Sequence, residues 1–420
     1  MMMMRNNKRV FPIRTDTACQ LKWSWTALFL EGGYARTCHR TAETDLTPDN
    51  FADFHNTDIV LSDRKRMLQG VWPESSCNYC KDIEQAGGIS DRLRQIDIPD
   101  LYPEELDADP QAIMVQPTVV EVFFKNTCNL GCLYCTPELS SRINAEYAKF
   151  GLFKKNGVML KHYDVQSNDL LPSFWSWFPK GFPKLKRFHI LGGEPLYLKE
   201  IPRLLDMIDR SPNPNCELNI ITNLSADIER VTTLVQSLKR LWQTGKVGRI
   251  DMTISLDCWG IEQEYVRHGL NLAQWEKNFD YLLSNPWLYL SINNTISVLT
   301  IKTLPELIER MNAWSEKLKV HHHFSVVSPG PSYLHPNILG PDEFAEDFQM
   351  IISVMPIATD EDRLAVEYMR GIANHYSKTA VDTTEITKMF TFLDEQDRRR
   401  GSSWQQTFPW LEKYKKYVVQ

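Results

Sequence analysis

One pattern recurs through the middle of the chain: an apolar run of strand length, a few polar residues, then a stretch with apolar residues three and four apart. The strand-like runs are VVEVFFKN (119–126), RFHILGG (187–193), ELNIITN (217–223), IDMTISLD (250–257), LYLSINNTISV (288–298) and HHHFSVVSP (321–329). Between them, stretches such as LKEIPRLLDMIDR and LPELIERMNAWSEKL have the period of amphipathic helices. Strands alternating with helices imply a parallel sheet with right-handed crossovers. Six such units are too few to close an eight-fold barrel, so residues 116–330 read as α/β, an open, partial (β/α)6 TIM-like barrel.

In barrel-like α/β folds, function collects at the carboxyl ends of the strands. Four polar motifs fall there: CNLGCLYC (128–135), GGEP (192–195), TNLS (222–225) and SLDC (255–258). The flanks differ. Residues 1–115 carry cysteines and are punctuated by Pro and Gly, and KWSWTALFLEGGYARTC reads as a hairpin about a Gly–Gly turn. Residues 331–420 have helical periodicity throughout. The stretch 145–186 is a long connection for such a fold, with a helix expected over 172–178. Its lysines and aromatics would suit an RNA surface, although a solvated helix with an aromatic inner face is the plainer reading.

Composition narrows the class. With 43% hydrophobic and 24% charged residues, the 420-residue chain is that of an ordinary globular protein, and its net charge of −6 argues against a nucleic-acid scaffold. No run of apolar residues is long enough to span a membrane, and the first residues lack the apolar core of a secretory leader. Nine cysteines, an odd number, then point to metal binding in a reducing cytoplasm rather than to disulfides.

Soft thiolates hold iron, and cysteines recurring every three or four residues let a short loop wrap an iron–sulfur cube. Three ligands leave one iron corner open; a zinc site lacking its fourth ligand is the rival. The CxxxCxxC spacing of Cys128, Cys132 and Cys135, with Tyr134 before the last cysteine, resembles the radical SAM (S-adenosylmethionine) superfamily. That resemblance implies a 4Fe-4S cluster on the three thiolates, with S-adenosylmethionine bound at the open iron. Gly192 and Gly193 would let a strand end approach a ligand closely, and Glu194 would take an ammonium group. In the resembled family this segment, closed here by Pro195, receives the amino group of the cofactor.

The other motifs follow the family less closely. TNLS resembles its TNG turn, with Thr222 and Asn223 kept and Leu224 in place of glycine. SLDC resembles SxDG, which implies that Ser255 and Asp257 reach the ribose hydroxyls; Cys258 stands where glycine is usual. YVRHG offers Arg267 for bidentate pairing with the methionine carboxylate. Cys258 itself reads as a packed thiol, and Cys216 has no partner motif. The histidines at 321–323 alternate faces on a strand and cannot all converge on a metal.

Cys19, Cys38, Cys77 and Cys80 resemble the cysteine pattern of twitch and SPASM modules, which implies an auxiliary 4Fe-4S cluster. The family usually places that module after the barrel, whereas here it precedes it. Four cysteines with a CxxC also suit structural zinc, so both metals stay open at this point. WPESSCNYCKDIEQAGGISDRLRQ and the LDEQDRRRG–FPWL tail resemble twitch-type radical SAM proteins of phages and bacteria, the tail with little chemistry of its own. The resemblance implies an oxidoreductase or maturase that cleaves S-adenosylmethionine to a 5′-deoxyadenosyl radical and abstracts a hydrogen atom. Its substrate would be a peptide or protein, its reductant a flavodoxin or ferredoxin, with no membrane or nucleic-acid partner. A small-molecule substrate (sugar, nucleotide or cofactor precursor) and a non-catalytic Fe-S binding protein are the alternatives.

Overall fold

Six apolar runs separated by helices become six neighbouring parallel strands. The computed structural model describes residues 10–73, 77–85, 90–95, 98, 100–164, 170–327, 330–376 and 379–419. Parts of four sequence readings lie outside the described residues: the leader test at 1–9, the CNYC-bearing segment at 74–76 and 86–89, the long connection at 165–169, and the last strand at 328–329. In chain order the strands are β1 (Trp25–Phe29), β2 (Tyr34–Arg36), β3 (Thr44–Asp45), β4 (Val119–Phe123), β5 (Gly131–Cys132), β6 (Phe153–Lys155), β7 (Val158–Leu160), β8 (Arg187–Leu191), β9 (Asn213–Thr222), β10 (Val247–Ser255), β11 (Arg267–His268), β12 (Tyr289–Ile296) and β13 (Val320–Val326).

The main sheet runs β13-β12-β10-β9-β8-β4-β1-β2-β3. Every pairing from β13 to β1 is parallel. Each central strand is joined to the next through helices, an α/β arrangement consistent with an open partial barrel. Period-two alternation sends Phe188, Ile190, Ile250, Met252, Ile254, Leu290 and Ile292 into one apolar core. The helices Glu200–Arg210, Ile228–Gln243, Leu272–Leu283 and Leu304–Ser315 add their apolar stripes to the same core. The opposite face of the sheet is polar: Thr253 lies 3.1 Å from Asn219 and 3.0 Å from Ser291.

The N-terminal hairpin forms as the Gly–Gly turn implies, with Phe29 opposite Tyr34 and Gly33 at φ +73°. It is not a separate body from the sheet. Strand β1 also pairs in parallel with β4, from Trp25↔Val119 to Phe29↔Phe123, and so covers the edge that β4 would otherwise expose. The helix expected over 172–178 spans Leu171–Gly181 and buries Phe174 and Phe178, with Phe182 just beyond. These aromatics point into the core and are unavailable for stacking on bases. At the C-terminus, Asp382 caps the long helix Thr383–Arg400 through the amides of Thr384 and Glu385, and Gly401 ends it at φ +67°. Among the described residues no helix is long and apolar enough to cross a membrane.

Candidate cofactor site at the strand ends

The cysteine triplet occupies the loop between β4 and the helix Ser141–Phe150, and that loop is fastened at both ends. Ser140 caps the helix and donates to the Leu130 carbonyl at 2.8 Å, while the Cys128 amide donates to Ser141 Oγ at 3.0 Å. Its middle is held by β5–β11 pairing, in which Cys132 sits opposite Arg267, and by a 2.9 Å bond from Leu133 N to Val266 O. Cys132 is buried, whereas Cys128 and Cys135 are half-buried. Burial, and then the charge of Cys132, pushes the Cys128 thiol up to about 12, and Cys135 rises further for the same reasons. Thiols that discourage each other's ionisation in this way become a ligand set only when a metal offsets their charge.

The GGEP turn lies directly against this loop. Glu194 N donates to Thr127 O at 2.7 Å, and a Cβ on Gly193 (φ +55°) would stand 2.1 Å from that carbonyl. Only glycine permits the approach. Glu194 is 1% exposed and has no ion-pair partner among the described residues. Instead Oε1 accepts from Thr222 Oγ1 (2.6 Å) and Leu196 N (3.1 Å), and Oε2 from Asn223 N (2.7 Å). Burial raises its pKa to about 7 against these bonds. The structure thus holds a carboxylate with no counter-ion beside the thiols, a setting suited to a cationic group.

Asn223 joins the two motifs. Its side-chain amide donates to Asn129 Oδ1 at 3.0 Å and reaches Cys128 Sγ at 3.9 Å. Leu224 adopts φ +54°, the left-handed conformation for which glycine is better suited, and is kept there by Asn278 donating to the carbonyls of Leu224 (2.9 Å) and Ala226 (2.8 Å). The substitution of leucine for glycine therefore leaves the turn in place.

Arg267 and Asp257 are paired with each other. Arg267 does not present an open fork for a carboxylate ligand. Its Nε and Nη2 each donate to Asp257 at 2.9 Å, and its Nη1 lies 3.8 Å from Cys132 Sγ. Asp257, fully buried, also accepts from Tyr134 Oη at 2.6 Å and Thr295 N at 2.9 Å. Its two oxygens thus take four donors from within the chain. Ser255 differs, because it lies on the polar face beside its register partner Asn293, whose Oδ1 has no hydrogen-bond partner. Asn293 carried no motif. Only its cross-strand register could have indicated it.

Cys258 is buried, its thiol 3.6 Å from Gln263 Oε1, and Cys216 is buried likewise. Of the three histidines, His321 stacks on Tyr289 at 4.1 Å and pairs with Glu361 at 2.8 Å.

The N-terminal cysteines lie on three segments and influence one another electrostatically. Burial and then the charges of Cys38 and Cys77 raise Cys19 to about 12; burial raises Cys38 to about 11, with Cys80 adding to it. The buried Lys22 ammonium, 2.8 Å from Asp63, opposes both shifts. Among the described residues no group of three or more His, Cys, Asp or Glu side chains is gathered as ligands of a single metal ion.

No protein-family model matches the chain, and no curated protein matches it. Several solved structures are similar to it. Native anSMEcpe with bound AdoMet is 14% identical with a TM-score of 0.37, covering 56% of this chain and 59% of its own. SuiB of Streptococcus suis bound to S-adenosylmethionine is 13% identical with a TM-score of 0.39, covering 78% of this chain and 66% of its own. The coproporphyrinogen III oxidase HemN of Escherichia coli, described as a radical SAM enzyme, is 12% identical with a TM-score of 0.32, covering 61% of this chain and 52% of its own. The chain thus spans less than two-thirds of the length of each of these structures.

Proposed function

We propose that this chain is a radical SAM enzyme that carries out an oxidative modification of a peptide or protein. One observation carries the reading: the turn that hydrogen-bonds the buried Glu194 carboxylate also reaches Cys128 Sγ. The carboxylate that would bind an ammonium group and the thiols that would bind iron therefore share one wall. Cys128, Cys132 and Cys135 would hold a 4Fe-4S cluster, Glu194 the amino group of S-adenosylmethionine, and Ser255 its ribose. When bound, the cluster and S-adenosylmethionine supply one-electron cleavage of the sulfonium carbon–sulfur bond and, from it, hydrogen-atom abstraction.

The protein's own part is placement. Gly192 and Gly193 bring backbone against the thiol loop, and Thr222 and Asn223 aim Glu194. Residues 1–115 would form the auxiliary module, 116–330 a partial (β/α)6 barrel, and 331–420 a helical extension. Cys19, Cys38, Cys77 and Cys80 would hold the auxiliary 4Fe-4S cluster, and that module supports a peptide or protein substrate because it accompanies such modification in the resembled family. A flavodoxin or ferredoxin would be the reductant.

Two results test this. Anaerobic reconstitution should yield about eight irons per chain, two cubes of four; about four irons and one zinc would assign the N-terminal thiols to zinc. Cys77→Ala should leave uncoupled cleavage of S-adenosylmethionine largely intact while suppressing substrate turnover. Turnover equal to wild type would remove the four-thiol centre from the reaction.

Cofactor affinity should also depend on pH through Glu194. Its folded pKa of about 7 exceeds the ordinary 4.5, so the folded chain retains a proton that the unfolded chain releases between those values. The group's stability contribution is full below 4.5 and is lost as pH rises through about 7. A bound ammonium favours the ionised form and reverses that balance. Affinity for S-adenosylmethionine should therefore weaken as pH falls below about 7, approaching about tenfold per pH unit, and Glu194→Gln should flatten the profile. A wild-type profile already flat, measured by equilibrium binding, would detach Glu194 from the amino group.

A further inference from the structure

Two guanidinium groups reach the loop that carries the central thiol of the triplet. Arg267 is the backbone partner of Cys132, and its side chain, anchored by Asp257, returns to Cys132 Sγ at 3.8 Å. The second cation comes from the far end of the chain. Arg400, in the last turn of the helix Thr383–Arg400, has a side chain only 4% exposed and pairs with Glu146 at 3.0 Å. Its Nη2 lies 3.3 Å from where Gly131 would carry a Cβ, and its Nη1 is buried with no hydrogen-bond partner among the described residues. The helix is fastened there by Asp397, which accepts from Tyr265 Oη at 2.8 Å, two residues before Arg267.

A buried N–H without a partner is costly, and more so on a cation. The anion that would justify Arg400 is the thiolate ligand set next to it. Arg400 Nη2 packs against Gly131, the residue before Cys132, and Arg267 Nη1 reaches Cys132 Sγ at 3.8 Å. A thiolate-bound iron–sulfur group becomes more negative on reduction, so an N–H···S bond or a nearby cation stabilises its reduced form and raises its potential. The low dielectric of a buried loop strengthens both effects.

We propose that Arg267 and Arg400 are positioning residues that raise the reduction potential of the group held by Cys132, and that neither is a clamp for the cofactor's carboxylate. This rests on the assignment of the triplet to an iron–sulfur cluster. It gives the C-terminal extension, which by sequence has little chemistry of its own, a direct part in the site.

The test is a redox titration of the anaerobically reconstituted full chain, followed by electron paramagnetic resonance. Arg400→Gln and Arg267→Gln should each move the midpoint to a more negative value, and Arg400→Lys should recover part of the shift. Glu146→Gln, which keeps the cation and removes its carboxylate, should not move it in the negative direction. The preference for S-adenosylmethionine over its decarboxylated analogue, measured by equilibrium binding, should survive in Arg267→Gln. An unchanged midpoint in iron-replete Arg400→Gln would overturn the proposal, as would loss of that preference in Arg267→Gln. Should Arg267→Gln fail to retain iron, Arg400→Gln, which leaves the Asp257 pair untouched, decides the matter. Failure of the enzymatic reading would look different: the wild-type cluster spectrum would not respond to S-adenosylmethionine.

Discussion

Asp257→Ala should destabilise the chain by about 3–5 kcal/mol, the cost of leaving a buried charge without its partner. Asp257 is wholly buried and accepts four hydrogen bonds, two from Arg267 and one each from Tyr134 and Thr295. Truncation leaves the guanidinium enclosed beside Cys132 without its ion-pair partner and takes away the acceptor of the Tyr134 hydroxyl. Because most of the loss is an uncompensated charge, the double variant Asp257→Ala/Arg267→Met should be markedly more stable than Asp257→Ala alone. Urea unfolding of the full chain measures both. A single-variant loss below about 1 kcal/mol, the range of an exposed pair, would show that Arg267 has another counter-charge.

Gly193→Ala should lower the rate of S-adenosylmethionine cleavage by about 100-fold, the order of effect expected when reacting groups shift by about an ångström. The added methyl group would meet Thr127 O at 2.1 Å and Thr127 C at 2.7 Å, and backbone cannot turn aside as a flexible side chain can. Either the Glu194 turn or the Cys128 loop must move, and their contact is the core of the site. Gly245→Ala is the matched control. Gly245 also has a positive φ, +68°, but nothing lies within 4 Å of the point where its added methyl group would stand, so it should lose only roughly 1–2 kcal/mol of stability with cleavage unaffected. If both substitutions lowered cleavage alike, backbone strain rather than contact would explain the effect.

Much of the central fold was legible because a strand covered by helices on one face has an obligatory period of two, and each helix a period near 3.6. The runs at 119–126, 187–193, 217–223 and 250–257 became adjacent strands in chain order, and their carboxyl ends placed the four motifs together. The hairpin at the Gly–Gly turn was legible for a similar local reason. Its second role, pairing β1 with β4, was not, because an edge strand offers its hydrogen bonds to any chain that reaches it. Nor was the choice of partner for Arg267. Guanidinium donates to any carboxylate in range, and the fold brings Asp257 to 2.9 Å.

By itself the sequence determined which residues could bind iron and which strand ends would carry them, since both follow from side-chain chemistry and from periods shorter than one helical turn. Only the tertiary structure decided which charges face one another. It gave Glu194 no counter-ion among the described residues, closed Arg267 onto Asp257, and brought Arg400 against the loop that carries Cys132. Electrostatic partnership depends on distance and burial, and neither is written in the order of residues along the chain.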